Sequence, residues 1–244
     1  MKTPYTTIYE DDAIIVVNKP AGLLSIPDRY DANKPNLYHL LLADNNEIRI
    51  VHRLDRETSG AICFAKTEAA HRTLSLQFEK RSTQKLYLAL VDGHPSPPEG
   101  TIDRAIAKHF SKPGRMIVAN RGKEALTTYK VVDTFKRFSL LEVNIHTGRT
   151  HQIRVHLQSI GHPLAIDPLY GKREAFFLSE IKRKSFNIGK GQEERPLMNR
   201  TSLHASQLTF THPDSGERQT FEAPLPKDFQ AVLKQLGKWG NRIK

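Results

Sequence analysis

The stretch at residues 52–60, HRLDRETSG, is the densest group of charged and polar side chains in the chain. It has almost no helical periodicity and leads into an apolar run, Ala61–Ala65, that predicts a buried strand. If this segment is extended, Arg53 and Asp55 project to the same side. A guanidinium there keeps a carboxylate ionised and oriented, able to act as a nucleophile or to stabilise a developing cation. A salt bridge on a surface loop has the same spacing, and the residues alone leave both interpretations open.

The patterns on either side of this stretch predict strands and helices in mixed order. Strands are predicted at Ile14–Val17, Ala61–Ala65, Lys85–Val91, Ile102–Ala107, Leu126–Val132 and Phe138–His146. Helices are predicted at Leu37–Leu42, after a cap at Thr67, after Thr150, near Phe176–Ile181 and at Lys227–Leu236. No regular βαβ rhythm is present, so we expect an α+β fold, with a largely antiparallel mixed sheet flanked by helices. The turn-rich segment Pro95–Gly100 is expected to join two strands as a hairpin.

Composition narrows the class of protein. The 244 residues include 37 Lys and Arg against 26 Asp and Glu, a formal net charge of +11 that favours a polyanionic partner without proving one. Cys63 is the only cysteine, which excludes an internal disulfide and a multi-thiolate zinc site. The sequence has no apolar run of membrane-spanning length and no signal-peptide pattern, so we expect a cytoplasmic protein and no membrane partner. The length predicts a single domain over residues 1–244.

Residues 52–60 resemble the HRLDxxTSG signature of the RluA-type pseudouridine synthases, the ribosomal large subunit pseudouridine synthase A family. Other segments resemble further motifs of that family, in the family's order. These are residues 18–23 (NKPAGL), 85–93 (KLYLALVDG), 146–156 (HTGRTHQIRVH), 161–163 (GHP), 167–171 (DPLYG) and 203–205 (LHA). The resemblance implies the pseudouridine synthase fold and an isomerase that exchanges the N1 glycosidic link of a uridine in RNA for one through C5. It also implies that no cofactor, metal or energy source is needed.

The same resemblance assigns roles to four residues. Asp55 corresponds to the essential carboxylate, and Arg53 to a residue that stacks near or orients the target nucleotide. Tyr87 corresponds to the tyrosine that lies against a flipped-out uracil, and Arg154 to the arginine that pairs with the catalytic aspartate. Without the resemblance, Tyr87 could equally be a core tyrosine and Arg154 a solvated helix arginine. Asp55 could attack the ribose or the base or abstract a ribose proton; we favour the ribose, because a carboxylate stabilises an oxocarbenium-like state.

The basic residues outside the motifs are concentrated in two segments. Residues 171–200 hold eight Lys and Arg against four Glu, which predicts a basic surface insertion at about 171–200. Candidate contacts to the RNA backbone are Lys172, Arg173, Lys182, Arg183, Lys184 and Lys190 in this segment, and Lys234, Lys238, Arg242 and Lys244 in the tail. The alternative is a solvated charged face. Ile166 departs from the family pattern, in which many members have glycine, and no S4-type RNA-binding domain is expected before the first strand.

We therefore expect a monomeric enzyme whose partner is RNA, either rRNA or tRNA. A metal site is not expected, because His151 and His156 lie about 140° apart on a helix and no HExxH pattern is present. One alternative is a non-catalytic RNA-binding or ribosome-assembly protein that retains the fold, although such a protein gains nothing from a carboxylate that repels phosphate. A weaker alternative is a glycosidase or nucleosidase that uses Asp55, for which the sequence offers no evident second catalytic carboxylate.

Overall fold

The computed structural model describes residues 4–182, 186–187, 189 and 193–239. The strands are β1 (Thr6–Glu10), β2 (Ile14–Lys19), β3 (Arg49–Ile50), β4 (Ser59–Ala65), β5 (Gln84–Asp92), β6 (Glu99–Asp103), β7 (Ile106–Lys108), β8 (Met116–Val118), β9 (Leu126–Phe135), β10 (Phe138–Ile145), β11 (Leu203–Thr211) and β12 (Arg218–Glu222). The helices are α1 (Leu37–Asp44), α2 (Glu68–Glu79), α3 (Gln152–Ser159), α4 (Leu178–Lys182) and α5 (Lys227–Trp239). No helix within these ranges is both long and apolar enough to cross a membrane.

The described chain divides into two compact units. The first unit contains the residues up to Tyr87, with Asn144–His146 and His204–Pro224. The second contains Leu88–Val143, Thr147–Leu203 and the residues from Leu225 onward.

The sheet of the first unit has β4 at its centre. Its strand order is β1-β2-β4-β11, with β3 also paired to β4 and β12 paired to β11. All seven residues of β4 are buried, as the apolar run in the sequence predicts. The strand begins at Ser59, two residues earlier than expected, because Ser59 and Gly60 pair in parallel with His204 and Ala205 of β11. The predicted cap of α2 is confirmed, since the Thr67 side chain accepts a hydrogen bond from a backbone N–H group in the first turn.

The second unit contains the strand pairs β10-β9 and β9-β6 and the separate two-stranded sheet β7-β8. The predicted hairpin across Pro95–Gly100 is wrong: β6 pairs antiparallel with β9, while β5 lies next to β10 in this unit. The turn residues correctly indicate that the chain changes direction there. They carry no information about which strand the chain then joins. The fold class is confirmed, because the strands form a mixed, mostly antiparallel sheet with helices.

The predicted basic insertion at about 171–200 is anchored in the second unit at both described ends. Phe176 is fully buried and Met198 is nearly so, and their backbones form an isolated β-bridge. The bridge is closed by hydrogen bonds of 2.8 Å from the Phe176 N–H to the Met198 carbonyl and from the Leu197 N–H to the Phe176 carbonyl. Five of the predicted backbone-contact residues lie outside the described residues: Arg183, Lys184, Lys190, Arg242 and Lys244.

Candidate active site

Asp55 lies in the irregular segment between β3 and β4. Its side chain is half-buried, and its carbonyl oxygen accepts a hydrogen bond of 3.1 Å from the N–H group of Thr58, which closes a turn around it. On the N-terminal side, Leu54 is buried and exchanges two hydrogen bonds with Ser25: the hydroxyl donates to the Leu54 carbonyl at 2.8 Å and accepts from the Leu54 N–H at 3.1 Å. The backbone on both sides of Asp55 is therefore fixed, which limits where the carboxylate can move.

A buried lysine fixes this turn from the other side. Lys19 has no exposed surface, and its ammonium donates three hydrogen bonds, to the carbonyl oxygens of Pro20, Leu23 and Arg56 at 2.9, 2.7 and 3.0 Å. The Gly22 N–H donates to the same Arg56 carbonyl at 2.9 Å. The segment NKPAGL at residues 18–23 thus holds the residue that follows Asp55, which explains why it accompanies residues 52–60.

The start of β4 requires a glycine. Gly60 has a φ of +122°, and a Cβ atom built on it would lie 2.1 Å from the carbonyl oxygen of Ala205 in β11. Beside it, the His204 ring lies 3.1 Å from the Ala223 carbonyl through Nε2, which must therefore carry the proton. Its Nδ1 then accepts a hydrogen bond of 2.9 Å from the Ser59 hydroxyl. The segment LHA at residues 203–205 thus anchors the end of the Asp55 loop to β11.

His52, the first residue of the HRLDRETSG stretch, has a structural role. Its ring stacks on Phe78, with 4.6 Å between the ring centroids, and its Nε2 accepts a hydrogen bond of 3.0 Å from the Cys63 N–H. Burial, and next to it the positive charge of Lys85, lowers the pKa of His52 to about 3. A neutral imidazole in this position packs the loop against α2 and β4 and has no need to exchange protons.

Tyr87 is buried, with 7% of its surface exposed. Both faces of β5 are covered here, since its neighbours Leu86 and Leu88 are half-buried. Burial, and next to it the negative charge of Asp55, raises the pKa of the Tyr87 phenol. The phenol therefore stays protonated and uncharged over the physiological range, and Asp55 lies close enough for its negative charge to disfavour the phenolate. Arg53 is exposed and, like these two residues, belongs to the first unit.

Arg154 belongs to the second unit and is buried in an ion pair. Its Nε and Nη2 donate to the two carboxylate oxygens of Asp167 at 2.7 and 2.8 Å, and its guanidinium carbon lies 5.0 Å from the centre of the Tyr170 ring. Asp167 is fully buried and also accepts from the N–H groups of Leu169 and Tyr170, at 2.9 and 3.1 Å. Arg154 is therefore not a solvated helix arginine. Sequence reasoning missed Asp167 as its partner, although the segment DPLYG was noted; the pairing of Arg154 with Asp55 stays a prediction.

The polar side chains of the segment HTGRTHQIRVH hold the start of α3 together. The Gln152 side-chain oxygen accepts from the Thr147 hydroxyl at 2.7 Å and from the Arg149 N–H at 3.0 Å. His156 lies within hydrogen-bond distance of the Thr127 hydroxyl, at 2.9 Å, and of a backbone carbonyl, at 2.8 Å. Over the part of the chain that the structure describes, no cluster of His, Cys, Asp and Glu side chains has the arrangement of a metal site.

Known proteins resemble this chain over most of its length. A model of the RNA pseudouridylate synthase family matches residues 13–159. The ribosomal large subunit pseudouridine synthase D of Zymomonas mobilis is 38% identical, with 96% of this chain and 73% of that protein covered. The dual-specificity RNA pseudouridine synthase RluA of Escherichia coli is 40% identical, with 89% of this chain and 91% of that protein covered.

The chain covers a smaller share of some other relatives, and a solved structure has a similar fold. The chain spans 65% of the length of the synthase D of Nitrosomonas europaea, to which it is 39% identical. The structure of human RNA pseudouridylate synthase domain containing 1 is similar with a TM-score of 0.69 at 29% identity, covering 93% of this chain and 87% of that one.

Proposed function

Because the chain belongs to the RNA pseudouridylate synthase family, we propose that it converts a specific uridine in structured RNA to pseudouridine, with Asp55 as the catalytic carboxylate. The observation that carries the proposal is the placement of Asp55. It is half-buried in a turn whose backbone is fixed by Lys19 and Ser25, and a protonated Tyr87 lies within its electrostatic reach. Related proteins of this family are named for activity on ribosomal RNA or for dual specificity, so rRNA and tRNA are the substrate classes that we propose.

In the route that we favour, a carboxylate acts at the ribose. The bond between N1 of uracil and C1′ of the ribose breaks, a bond forms between C5 and C1′, C5 loses its proton to solvent, and N1 gains one. Breaking the first bond builds positive charge at C1′, which a fixed carboxylate stabilises either as a nucleophile or through its charge. Asp55 fills this role because the turn holds it in one place and its surroundings are only partly open to water.

The other three candidate residues are assigned by their surroundings. The ring of Tyr87 is flat, buried and uncharged, which suits contact with a flipped-out uracil. Arg53 is exposed two positions before Asp55, and orienting the target nucleotide is the role that we propose for it. For Arg154 we propose the role that the family resemblance implies, pairing with the catalytic carboxylate; its two hydrogen bonds to Asp167 fix the position of the guanidinium.

We further propose that residues 1–244 act as a single catalytic domain, as a monomer in the cytoplasm. The experiment that tests the function maps pseudouridine in total RNA from cells with and without this gene, and measures tritium release from 5-tritiated RNA by the purified protein. We expect one or a few uridines in rRNA or tRNA to lose modification without the gene, and the protein to restore them. If the protein releases no tritium from any cellular RNA, the non-catalytic RNA-binding alternative replaces this proposal.

A further inference from the structure

An exposed tryptophan closes the last described helix, α5. Trp239 is the only tryptophan of the chain, and 39% of its surface is exposed. Two ammonium groups lie against its ring: Lys182 of α4 at 4.8 Å from the ring centre and Lys238 at 5.2 Å. At these distances both ammonium groups make cation–π contacts with the indole, and the exposed part of the ring offers a flat aromatic surface.

The surroundings of this ring are basic and concave. A cavity of about 170 Å³ opens beside Trp239 between α4, α5 and the turn that joins β9 to β10. We call the cationic side chains of this site, together with the indole, the Trp239 patch; its members are Lys136, Arg137, Lys182, Lys238 and Trp239. The one carboxylate lining the cavity, Glu180, is compensated by the Arg173 guanidinium at 3.1 Å. The other charged residues that line the cavity, Lys136, Arg137 and Lys182, are all positive.

The Trp239 patch unites the two basic segments that the sequence singled out separately. Lys182 comes from the predicted insertion and Lys238 from the tail, and α4 packs against α5. Arg173, which was also a candidate for RNA contact, has another use: its guanidinium pairs with Asp92 at 2.7 Å as well as with Glu180. The structure therefore separates basic residues that hold the fold from basic residues that converge on an aromatic ring.

We propose that the Trp239 patch binds a single-stranded segment of the RNA substrate, with an unpaired base stacked on the indole and the lysines on the flanking phosphates. This inference rests on the proposed function for its choice of ligand. A nucleotide has both groups that can contact the Trp239 patch: a flat base that stacks on the indole, and a phosphate a few ångströms away that pairs with a lysine. An acidic peptide satisfies the ammonium groups alone, and a regular duplex keeps its bases stacked away from the indole.

The fluorescence of Trp239 reports directly on ligand binding at the patch, since the chain has no other tryptophan that contributes to the indole emission. The experiment titrates the full-length Asp55→Asn protein with single-stranded poly(U) and poly(A), and with the poly(A)·poly(U) duplex, while indole fluorescence is recorded. We expect saturable quenching by the single strands, with a midpoint that rises steeply with salt. The duplex is expected to bind without comparable quenching.

Variants separate stacking from general charge. Trp239→Ala should weaken binding of a labelled single-stranded oligonucleotide about tenfold, and Trp239→Phe should retain most of the affinity. Lys182→Ala should reduce the slope of log K against log salt by about 0.7 and change the quenching. Lys227→Ala is the matched control, because it removes the same charge at the opposite end of α5, about 18 Å away, and should leave the quenching unchanged.

The outcomes decide the proposal separately from the proposed function. The proposal that the Trp239 patch binds single-stranded RNA is overturned by any of three results. RNA binds while the indole emission stays unchanged, only the duplex quenches the emission, or Trp239→Ala binds the oligonucleotide as tightly as the parent protein does. Loss of folding in Trp239→Ala is monitored by circular dichroism, and Trp239→Phe and Lys182→Ala then carry the test. If the wild-type protein makes no pseudouridine but its indole is still quenched by single strands, the proposed function fails and the Trp239 patch stands.

Discussion

The ammonium group of Lys19, which has no exposed surface, donates a hydrogen bond of 3.0 Å to the carbonyl oxygen of Arg56. Arg56 directly follows Asp55, so the end of β2 determines where the Asp55 turn lies. A lysine is suited to this task because one ammonium group serves three carbonyl oxygens that would otherwise compete for donors in a dry environment. The position of the candidate catalytic carboxylate thus depends on a buried residue that lies outside residues 52–60.

Lys19→Met should therefore reduce both stability and turnover. The substitution keeps the length of the side chain but leaves the carbonyls of Pro20 and Leu23 without this donor, which lowers the free energy of unfolding by about 2–4 kcal/mol. Urea denaturation measures the loss. Lys66→Met is the control, because its ammonium pairs with Glu10 at the surface and should cost less than about 1 kcal/mol. Equal losses in the two variants would contradict the assigned role of Lys19.

Gly60→Ala should be among the most destabilising substitutions in the first unit. The new Cβ would lie 2.1 Å from the Ala205 carbonyl oxygen, and the φ of +122° is strained for any side chain, so β4 and β11 must move apart. We expect a loss of about 3 kcal/mol or more, measured by thermal denaturation. Gly148→Ala is the control, because a Cβ there has no neighbour within 4 Å and its melting temperature should be nearly unchanged. Similar melting temperatures for the two variants would refute the close approach.

Asp167→Asn should destabilise the second unit by about 3–5 kcal/mol, because it breaks the buried ion pair between Asp167 and Arg154. The substitution keeps the size of the side chain, so the loss reports charge rather than packing. Urea denaturation checks it. Lys34→Gln removes one partner of the exposed pair between Lys34 and Asp28 and should change stability by less than about 1 kcal/mol. A loss in Asp167→Asn no larger than that of the control would show that the buried pair is not held by charge.

His52 should remain neutral in the folded protein well below its usual pKa. Its pKa is about 3 when folded and near 6.5 when unfolded, so the unfolded chain binds an extra proton in that window. The stability that this residue contributes is fully present above pH 6.5 and falls as the pH drops toward 3, by up to about 1.4 kcal/mol per pH unit.

The variant His52→Gln isolates this effect. Glutamine can still accept the hydrogen bond from the Cys63 N–H, but it does not titrate. Urea denaturation at pH 7, 6 and 5 should therefore give a smaller loss for the variant than for the wild type. In the wild type, nitrogen NMR should find the proton of His52 on Nδ1 at pH 5. A wild-type ring that is doubly protonated at pH 5 would overturn the assignment.

Local features of this protein were predictable from sequence, and contacts between distant segments were not. The cap at Thr67 and the buried strand β4 depend on neighbouring residues, and both are confirmed. The parallel pairing of Ser59 with His204 joins residues far apart in the chain, and no pattern at either end specifies its register. The cationic cavity beside Trp239 depends on the packing of α4 against α5, which hydrophobic periodicity cannot orient.

In the candidate site, too, some features were predictable from the sequence and others were not. Residues 52–60 point to Asp55 only through their resemblance to the family signature, because the residues alone fit a surface salt bridge equally well. The turn that fixes the Asp55 backbone is visible only in the structure. The burial of Tyr87 was not predictable, because period-2 alternation tells the two faces of a strand apart but not whether both are covered. The partner of Arg154 in its own unit, Asp167, was missed since the loop that returns it to α3 has no regular period.

Tritium release from 5-tritiated rRNA and tRNA by wild type, Asp55→Asn and Glu57→Gln tests whether Asp55 is the catalytic carboxylate. Glu57→Gln removes the same charge two residues away and is the matched control. Asp55→Asn should lose at least a thousandfold in turnover, roughly what removal of an essential nucleophile costs, while its melting temperature and RNA affinity stay close to those of the wild type. Glu57→Gln should release tritium at a rate near that of the wild type. Turnover by Asp55→Asn comparable to that of Glu57→Gln would contradict the assignment of Asp55 as the catalytic carboxylate.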